Sequence, residues 1–284
     1  MNQQPGKLYI VATPIGNLGD ITLRAQEVLG SVDLILAEDT RHSRPLLNHF
    51  GIQVPLQALH EHNEDRLSSA VVSRLESGES MALISDAGTP LISDPGYPLV
   101  RLARSRGIVV VPLPGACAMV TALSASGLAT DRFVFEGFLP SKKGARRKRL
   151  EQLVSEPRTL VFYESSHRIA DSLADMADLF GPGREAVIAR ELTKRFETIH
   201  GGELSVLVDW TQSDSNQQKG EFVVMVSGAP ETPTEESSVT TDQVLKVLMA
   251  ELPLKQAASL AAGITGQKRN RLYERALELK EALI

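Results

Sequence analysis

Two aspartates and several small residues lie together in the segment Ser85 to Gly96 (SDAGTPLISDPG), directly after a run of apolar residues. Asp86 and Asp94 supply carboxylates, and the glycines leave room for a ligand to approach the backbone. At the end of a buried strand, such a segment suits a cationic or hydroxyl-rich ligand. The alternative is a turn that an aspartate caps without binding anything.

Two further loops have compositions that suit ligand binding. Thr13 to Gly19 (TPIGNLG) follows an apolar run with a proline and two glycines, and its alternative interpretation is a tight turn. Pro114 to Met119 (PGACAM) opens a helix, so the N–H groups of Ala116 to Ala118 could hold an anion such as a carboxylate. Cys117 has no histidine near it in sequence, which favours a packing residue over a nucleophile.

Two polar segments have both a binding and a structural interpretation. His60 to Glu64 (HEHNE) contains a His-x-His pair, but without a third ligand cluster it predicts a loop whose Asn63 caps the next helix, and no metal site. Glu38, Asp39 and Arg41 follow another apolar run, where they could form an internal ion pair or contact a substrate.

The first half of the chain has the pattern of a parallel α/β sheet. Short runs rich in Val, Ile and Leu alternate with helical patterns up to about Ser126. The binding loops then follow strands and lie at the carboxyl edge of the sheet, where open α/β sheets bind ligands. The predicted strands are Leu8–Ala12, Leu34–Ala37, Met81–Ile84 and Val109–Pro112, and the predicted helices are Glu64–Glu76 and Leu99–Arg106.

The second half predicts a further α/β domain and a helical tail. Several neighbouring strands between Phe133 and Ser227 leave no room for a helix, so we expect a mixed sheet with antiparallel pairs. The predicted organisation is an N-terminal α/β domain (1–118), a second α/β domain (119–228), a Pro- and Glu-rich linker (229–238) and a helical module (239–284) with three helices broken at Pro253 and Gly266.

Composition limits the classes of protein and of partner. The 284 residues carry a formal net charge of −5, so nucleic-acid contact would come from local basic segments and not from a global field. Cys117 is the only cysteine, which excludes an internal disulfide and is typical of a reducing cytoplasm. No apolar stretch has the length of a membrane span, so we expect a cytoplasmic protein without membrane insertion.

Together these motifs resemble the tetrapyrrole methylase superfamily over essentially the whole chain, and within it the enzymes that modify small-subunit ribosomal RNA. The segments that carry the resemblance are VATPIGNLGD (11–20), AEDTR (37–41), HEHNE (60–64), SDAGTPLISDPG (85–96), PGACAM (114–119), EGFLP (136–140), FYESSHR (162–168) and ARELTK (189–194).

The resemblance implies a two-domain methyltransferase that holds S-adenosylmethionine in the cleft between its domains and works as a homodimer. It implies a 2′-O-methylcytidine product in the decoding region of small-subunit ribosomal RNA, free or within an assembled 30S subunit. It places the cofactor contacts on Pro14, Asp86, Gly88, Cys117, Ala118, Tyr163, Leu192 and Glu221. Only Tyr163, Leu192 and Glu221 rest on the resemblance alone.

Methylation of a ribose hydroxyl would be helped by a base, and RNA must also be held. The candidate bases are Asp39, His60, Glu164 and Lys194. A solvated helix face is the alternative for the first basic segment, and a dimerisation or packing module is the alternative for the helical tail. The predicted RNA contacts are Lys142, Lys143, Arg146, Arg147, Lys148 and Arg149 in the first segment, and Lys268, Arg269 and Arg271 near the C-terminus.

Two other functions are consistent with much of this sequence pattern. One is a corrin or porphyrin methylase of the same architecture, with no RNA partner. The other is a regulator whose α/β body senses a nucleotide while its terminal helices bind DNA without catalysis. The basic segments and the third module favour the RNA enzyme over the small-molecule enzyme.

Overall fold

The structure is a computed structural model that describes residues 4–230 and 238–281. Contacts divide the chain into two units, Met1–Ala229 and Pro230–Ile284. The division falls at the start of the predicted linker. Both sheets lie in the first unit, and the border at residues 118 and 119 stays a prediction.

The N-terminal sheet has five parallel strands in the order β3-β2-β4-β1-β5. Because the strands are parallel, their carboxyl ends share one edge. The strands are β1 (Lys7–Val11), β2 (Leu34–Ala37), β3 (Leu56–Ala58), β4 (Met81–Ile84) and β5 (Val109–Leu113). The helices are α1 (Leu23–Ser31), α2 (Thr40–His49), α3 (Glu64–Glu76), α4 (Tyr97–Ser105) and α5 (Ala118–Ser126).

Both faces of the central strands are buried, as their continuous apolar sequences require. Leu8, Leu36 and Leu83 pack with α3 and α4 on one face, while Val11 and Ile35 pack with α1 and α2 on the other. The sheet is therefore a rigid layer, and polar chemistry is confined to its edges.

The predicted strands and helices of this half are confirmed to within two residues, but one strand was missed. Strand β3 has three half-buried residues at the sheet edge, too few to show a periodicity. Helices α1 and α2 were also missed, and α2 contains Pro45, which usually argues against a helix interior. Asn63 lies at the start of α3 but its side chain does not cap the helix, so that prediction is wrong.

The second sheet is mixed, as predicted, with the order β6-β7-β10-β8-β9. Strands β6 and β7 are parallel, and the other pairs are antiparallel. The strands are β6 (Phe133–Phe138), β7 (Thr159–Ser165), β8 (Glu185–Arg190), β9 (Thr198–Glu203) and β10 (Glu221–Val226), and the helices are α6 (Lys143–Glu151), α7 (Ile169–Phe180) and α8 (Leu204–Ser213).

The two faces of the second sheet have different neighbours. Phe162 and Val224 belong to a core that includes residues of α7 and α8. Val161 and Val223, one position away on the same strands, pack instead with α5 and with Ile15 from the loop after β1. Alternation along a strand therefore decides whether a side chain faces the helical layer or the N-terminal half.

The second unit is a bundle of three helices, α9 (Ser238–Glu251), α10 (Leu254–Thr265) and α11 (Arg269–Glu281). Its core contains Leu245, Ala258 and Leu272, one residue from each helix. A turn that begins at Gly266, with a φ of 69°, joins α10 to α11, which is the geometry of a helix-turn-helix.

Helix α6 carries the first basic segment, and its arginines are divided between structure and surface. The side chain of Arg146 is only 3% exposed, and its Nε donates to Asp175 Oδ2 of α7 at 2.7 Å. The prediction that Arg146 contacts RNA is therefore wrong, because this cation is buried and paired. Arg147 forms ion pairs with Asp175 and Asp178, and its side chain remains partly exposed.

We expect Arg146→Ala to lower the free energy of unfolding by about 3–5 kcal/mol, because it leaves the buried Asp175 carboxylate without its main partner. Lys148→Ala is the matched control on the same helix: its side chain is exposed, and the change should stay within about 0.5 kcal/mol. Urea denaturation followed by circular dichroism measures both. Equal stabilities of the two variants would contradict a structural role for Arg146.

Candidate functional site

Two loops meet at the carboxyl edge of the N-terminal sheet through a pair of backbone hydrogen bonds. Thr13 N donates to Gly88 O at 2.9 Å, and Gly88 N donates to Thr13 O at 3.0 Å. Gly88 has a φ of 82°, and an added Cβ would lie 3.3 Å from Ile15 Cγ2. Glycine is required here because the loops approach closely in a left-handed backbone conformation.

Two further hydrogen bonds extend this connection across the sheet. Thr89 Oγ1 donates to Ala116 O at 2.9 Å, which joins the loop after β4 to the segment that opens α5. Asp39 N donates to Asp86 Oδ1 at 3.2 Å, which joins it to the loop after β2. The carboxyl ends of four neighbouring strands are thereby held together, and Asp86 lies among them.

A cavity of about 430 Å³ lies between this edge and the second sheet. Its volume is within the roughly 300–1,000 Å³ range of small-molecule sites. Seven of the eight predicted cofactor residues line it, namely Asp86, Gly88, Cys117, Ala118, Tyr163, Leu192 and Glu221. Pro14 is not among the lining residues, although its neighbour Ile15 is.

The cavity combines apolar walls with a few directed polar groups. The ring of Tyr163 packs edge-on against Phe138 and Phe135, and its Oη accepts a hydrogen bond from Met119 N at 3.2 Å. Burial raises the pKa of Tyr163 to about 12, so the phenol stays neutral. The N–H groups of Cys117 and Ala118, in the first turn of α5, have no acceptor among the described residues.

Acidic side chains collect on the side of the cavity formed by the N-terminal sheet. Burial, with a smaller contribution from the nearby carboxylates of Glu38 and Asp86, raises the pKa of Asp94 to about 6. Burial likewise raises the pKa of Glu38, again with Asp86 contributing. These groups create a negative potential that favours a cationic ligand.

Strained backbone flanks the cavity on both sides. Leu91 and Ser93 have φ values of 71° and 69°, and Glu191 and Thr193 have values of 51° and 65°. Non-glycine residues rarely adopt a left-handed backbone conformation. Two of them close together indicate a segment whose conformation is imposed by the surrounding contacts. Both segments contribute lining residues, including Ile92 and Leu192.

Asp39 and His60 lie near the acidic side of the cavity without lining it. The Arg41 guanidinium holds the pKa of Asp39 at about 2, which makes this carboxylate a weak base. His60 Nε2 lies 3.1 Å from Asn63 Nδ2, while its Nδ1 is buried without a hydrogen-bond partner. Asn63 Oδ1 accepts from His60 N at 2.9 Å, so this residue shapes the histidine loop.

The structure contradicts Glu164 as the base. Glu164 is among the lining residues, but its carboxylate accepts hydrogen bonds from Ser172 Oγ at 2.6 Å and Ser165 N at 2.8 Å and forms an ion pair with Arg168. Ser172 belongs to α7, on the opposite face of the sheet from Tyr163. The carboxylate is therefore buried, saturated and directed away from the cavity.

Lys194 is also a poor base in this structure. Its Nζ lies 2.9 Å from Glu191 Oε1 and 2.8 Å from Glu221 Oε2. The pKa of Lys194 is raised, because these two partners outweigh the opposing effect of burial. The ammonium therefore stays protonated.

The remaining predicted RNA contacts are on the surface. Lys142, Lys143 and Lys148 are exposed, and Arg149 is exposed while it pairs with Glu136 at 2.7 Å. In the helical unit, Lys268, Arg269 and Arg271 are exposed at the start of α11.

Neither a metal-binding cluster nor a membrane-spanning helix is found among the described residues. No group of three or more His, Cys, Asp or Glu side chains there is arranged to hold a metal ion. No helix in residues 4–230 or 238–281 is long and apolar enough to cross a membrane.

Sequence reasoning missed several cavity residues. Phe138 and Gly220 line the cavity but were not singled out as ligand contacts. Phe138 lies in the EGFLP motif, which could have indicated it. In the structure, a bulge at Gly137 brings this part of strand β6 close to Ser93. Nothing in the sequence around Gly220 indicates its position.

We expect the stability of the protein to depend on pH through Asp94. Because its pKa is about 6 in the folded chain against an ordinary value of 3.8, stability from this group falls as pH rises between about 4 and 6 and is then constant. Asp94→Asn removes this titration. The melting temperature of the variant relative to the wild type should therefore rise across that window and level off above it, and a difference independent of pH would contradict the assignment.

Sequence comparisons place this site in a known family. The family model for tetrapyrrole (corrin/porphyrin) methylases matches residues 7–207, and a model for the RsmI C-terminal HTH domain matches residues 235–280. The ribosomal RNA small subunit methyltransferase I of Pseudomonas aeruginosa is 59% identical over 96% of this chain and 97% of its own length. The protein of the same name from Escherichia coli O157:H7 is 56% identical over 96% and 95%.

Solved structures agree on the fold. The uroporphyrin-III C-methyltransferase of Thermus thermophilus, solved in complex with S-adenyl homocysteine, superimposes with a TM-score of 0.53 at 16% identity, over 78% of this chain and 97% of that one. The match to the family model covers most of the chain, including every strand that borders the cavity except β10. This chain belongs to the tetrapyrrole methylase family.

Proposed function

We propose that this protein transfers a methyl group from S-adenosylmethionine to the 2′-hydroxyl of a cytidine in the decoding region of small-subunit ribosomal RNA. The similarity to small-subunit ribosomal RNA methyltransferases, end to end and above half identity, carries this proposal. The position of the cytidine and the 2′-oxygen rest on the resemblance of the motifs.

The cavity has the chemistry that S-adenosylmethionine requires. Asp86 and Asp94 offer negative charge to the sulfonium and hydroxyl acceptors to the ribose. The N–H groups at the start of α5 could hold the carboxylate of the methionine moiety. Tyr163 and Leu192 provide apolar walls against which adenine could stack.

When bound, S-adenosylmethionine supplies a methyl group on a positively charged sulfur. The chain's own contribution is to fix the position of that group and to exclude water, so that a ribose hydroxyl can approach in line. Removal of the hydroxyl proton needs a base. We assign no base among the four candidates, because Asp39 and His60 do not line the cavity and Glu164 and Lys194 are held in ion pairs.

Two exposed basic surfaces would hold the RNA. We define the α6 patch as Lys142, Lys143, Lys148 and Arg149, which leaves out the buried Arg146 and also Arg147, whose guanidinium pairs with Asp175 and Asp178. The second surface is the start of α11, where Lys268, Arg269 and Arg271 follow the turn of the helix-turn-helix. Both surfaces would contact phosphates, which gives affinity without base recognition.

The other two functions have less support. A corrin or porphyrin methylase would have no use for a helix-turn-helix unit, and the two relatives described above, which match nearly the whole chain, carry ribosomal RNA in their names. A DNA-binding regulator would not need an acidic methyl-donor cavity. We further propose that the protein is a homodimer in the cytoplasm. The resemblance supports the homodimer, and sedimentation would measure the oligomeric state.

The direct test is transfer of radiolabelled methyl from S-adenosylmethionine to purified small-subunit ribosomal RNA and to assembled 30S subunits, followed by mapping of the modified nucleotide. We expect label at one cytidine, resistant to alkaline cleavage at that position because its 2′-oxygen is blocked. Label on neither substrate, or label on a base, would contradict the proposal.

We expect the triple variant Lys142→Glu, Lys143→Glu and Lys148→Glu to weaken RNA binding and to reduce the slope of log affinity against log salt by about 2–3, because up to three phosphate contacts are lost. Filter binding between 50 and 200 mM salt, roughly the range over which such contacts dominate, measures the slope.

The matched control places the same charge change on exposed arginines elsewhere, with Arg24→Glu, Arg101→Glu and Arg104→Glu. This variant should bind RNA with nearly the wild-type slope. An equal loss in both variants would mean that net charge, and not the α6 patch, governs binding.

A further inference from the structure

The loop between β8 and β9 contains a charged network that touches the cavity wall on one side and the loop after β1 on the other. Glu191 Oε1 accepts from Lys194 Nζ at 2.9 Å and from Glu221 N at 3.0 Å. Lys194 Nζ also donates to Glu221 Oε2 at 2.8 Å. Two carboxylates and one ammonium thus connect the loop to the first residue of β10.

Two glycines make room for this network. A Cβ at Gly16 would overlap Lys194 Cγ and lie 3.0 Å from Thr193 Oγ1, so the lysine stem lies directly on the loop after β1. A Cβ at Gly220, which has a φ of 101°, would lie 2.5 Å from Glu191 Cγ. Both contacts depend on the absence of a side chain, and they come from different parts of the chain.

The backbone of the loop is strained around one cavity residue. Glu191 and Thr193 have left-handed φ values, and Leu192 between them is 7% exposed and lines the cavity. Such a conformation persists only where surrounding contacts impose it. The bonds of Glu191 and Lys194 restrain this loop, together with the hydrogen bond that Thr193 N donates to Glu197 Oε2 at 2.6 Å.

We propose that Lys194 is a positioning residue. Through its ion pairs with Glu191 and Glu221, it fixes Leu192 and the start of β10 as part of the cavity wall. Its side-chain stem packs this wall against the loop at Gly16. This inference rests on the proposed function for its ligand, a nucleoside with a sulfonium or thioether chain. It assigns Lys194 a role in binding and not in proton transfer.

The test compares variants by their affinity for S-adenosylhomocysteine, measured by calorimetry on the full chain. We expect Lys194→Met, which keeps the stem and removes the charge, to weaken binding about tenfold, because hydrogen bonds to charged groups are lost. Lys194→Arg, which keeps the charge, should restore most of the affinity. Equal affinity of Lys194→Met and the wild type would overturn the proposal.

Gly16→Ala provides an independent route to the same network, because the added methyl group displaces the lysine stem. It should weaken binding to a similar extent, and the double variant with Lys194→Met should lose little more, since coupled changes are not additive. Fully additive losses would show that the two residues act separately and would overturn the contact between them.

Kinetics separate positioning from catalysis. As a positioning residue, Lys194 should affect the KM for S-adenosylmethionine more than kcat, and the pH profile of kcat in Lys194→Met should keep its shape. A large fall in kcat with unchanged affinity, not rescued by arginine, would indicate a base and overturn the proposal.

A readout without ligand keeps this inference distinct from the proposed function. Amide hydrogen exchange at Leu192 and Thr193 should become faster in Lys194→Met than in the wild type, because the strained loop loses its restraint. If the wild type has no affinity for S-adenosylhomocysteine, the proposed function fails. If exchange at these amides is the same in both proteins, the restraint by Lys194 fails.

Discussion

The site depends on the two backbone hydrogen bonds between Thr13 and Gly88. They join loops that leave neighbouring parallel strands, and they leave Asp86, Cys117 and Ala118 around one space. Because backbone groups make the connection, it needs no side chain of its own beyond the glycine that permits the approach. The loops can therefore carry ligand-binding side chains on a frame that the sheet core keeps rigid.

Charge is distributed across the cavity in a way that suits a cationic donor. Asp86, Asp94 and Glu38 lie on the side of the N-terminal sheet, and burial raises the pKa of the latter two, so their negative charge is costly without a partner. On the other side of the cavity, the positive charge of Lys194 is balanced by its ion pairs with Glu191 and Glu221. A bound sulfonium would offset the first cost without competing with the lysine.

Much of the fold followed from pattern, because buried parallel strands and glycine-rich loops have clear signatures. Strand β3 and helix α2 were missed since one is very short and the other contains Pro45. The site was predictable where a residue lies in a loop after a strand, as Asp86 does. It was not predictable for Arg146 or Glu164, because their roles depend on partners 29 and 8 residues away on α7.

A crystal structure of the protein with S-adenosylhomocysteine tests the central claim, that the joined strand ends and the second sheet form one preformed cavity for the methyl donor. We expect the ligand to contact Asp86, Ala118 and Leu192, with the hydrogen bonds between Thr13 and Gly88 unchanged. A ligand bound elsewhere, or a site that forms only after these bonds break, would contradict it.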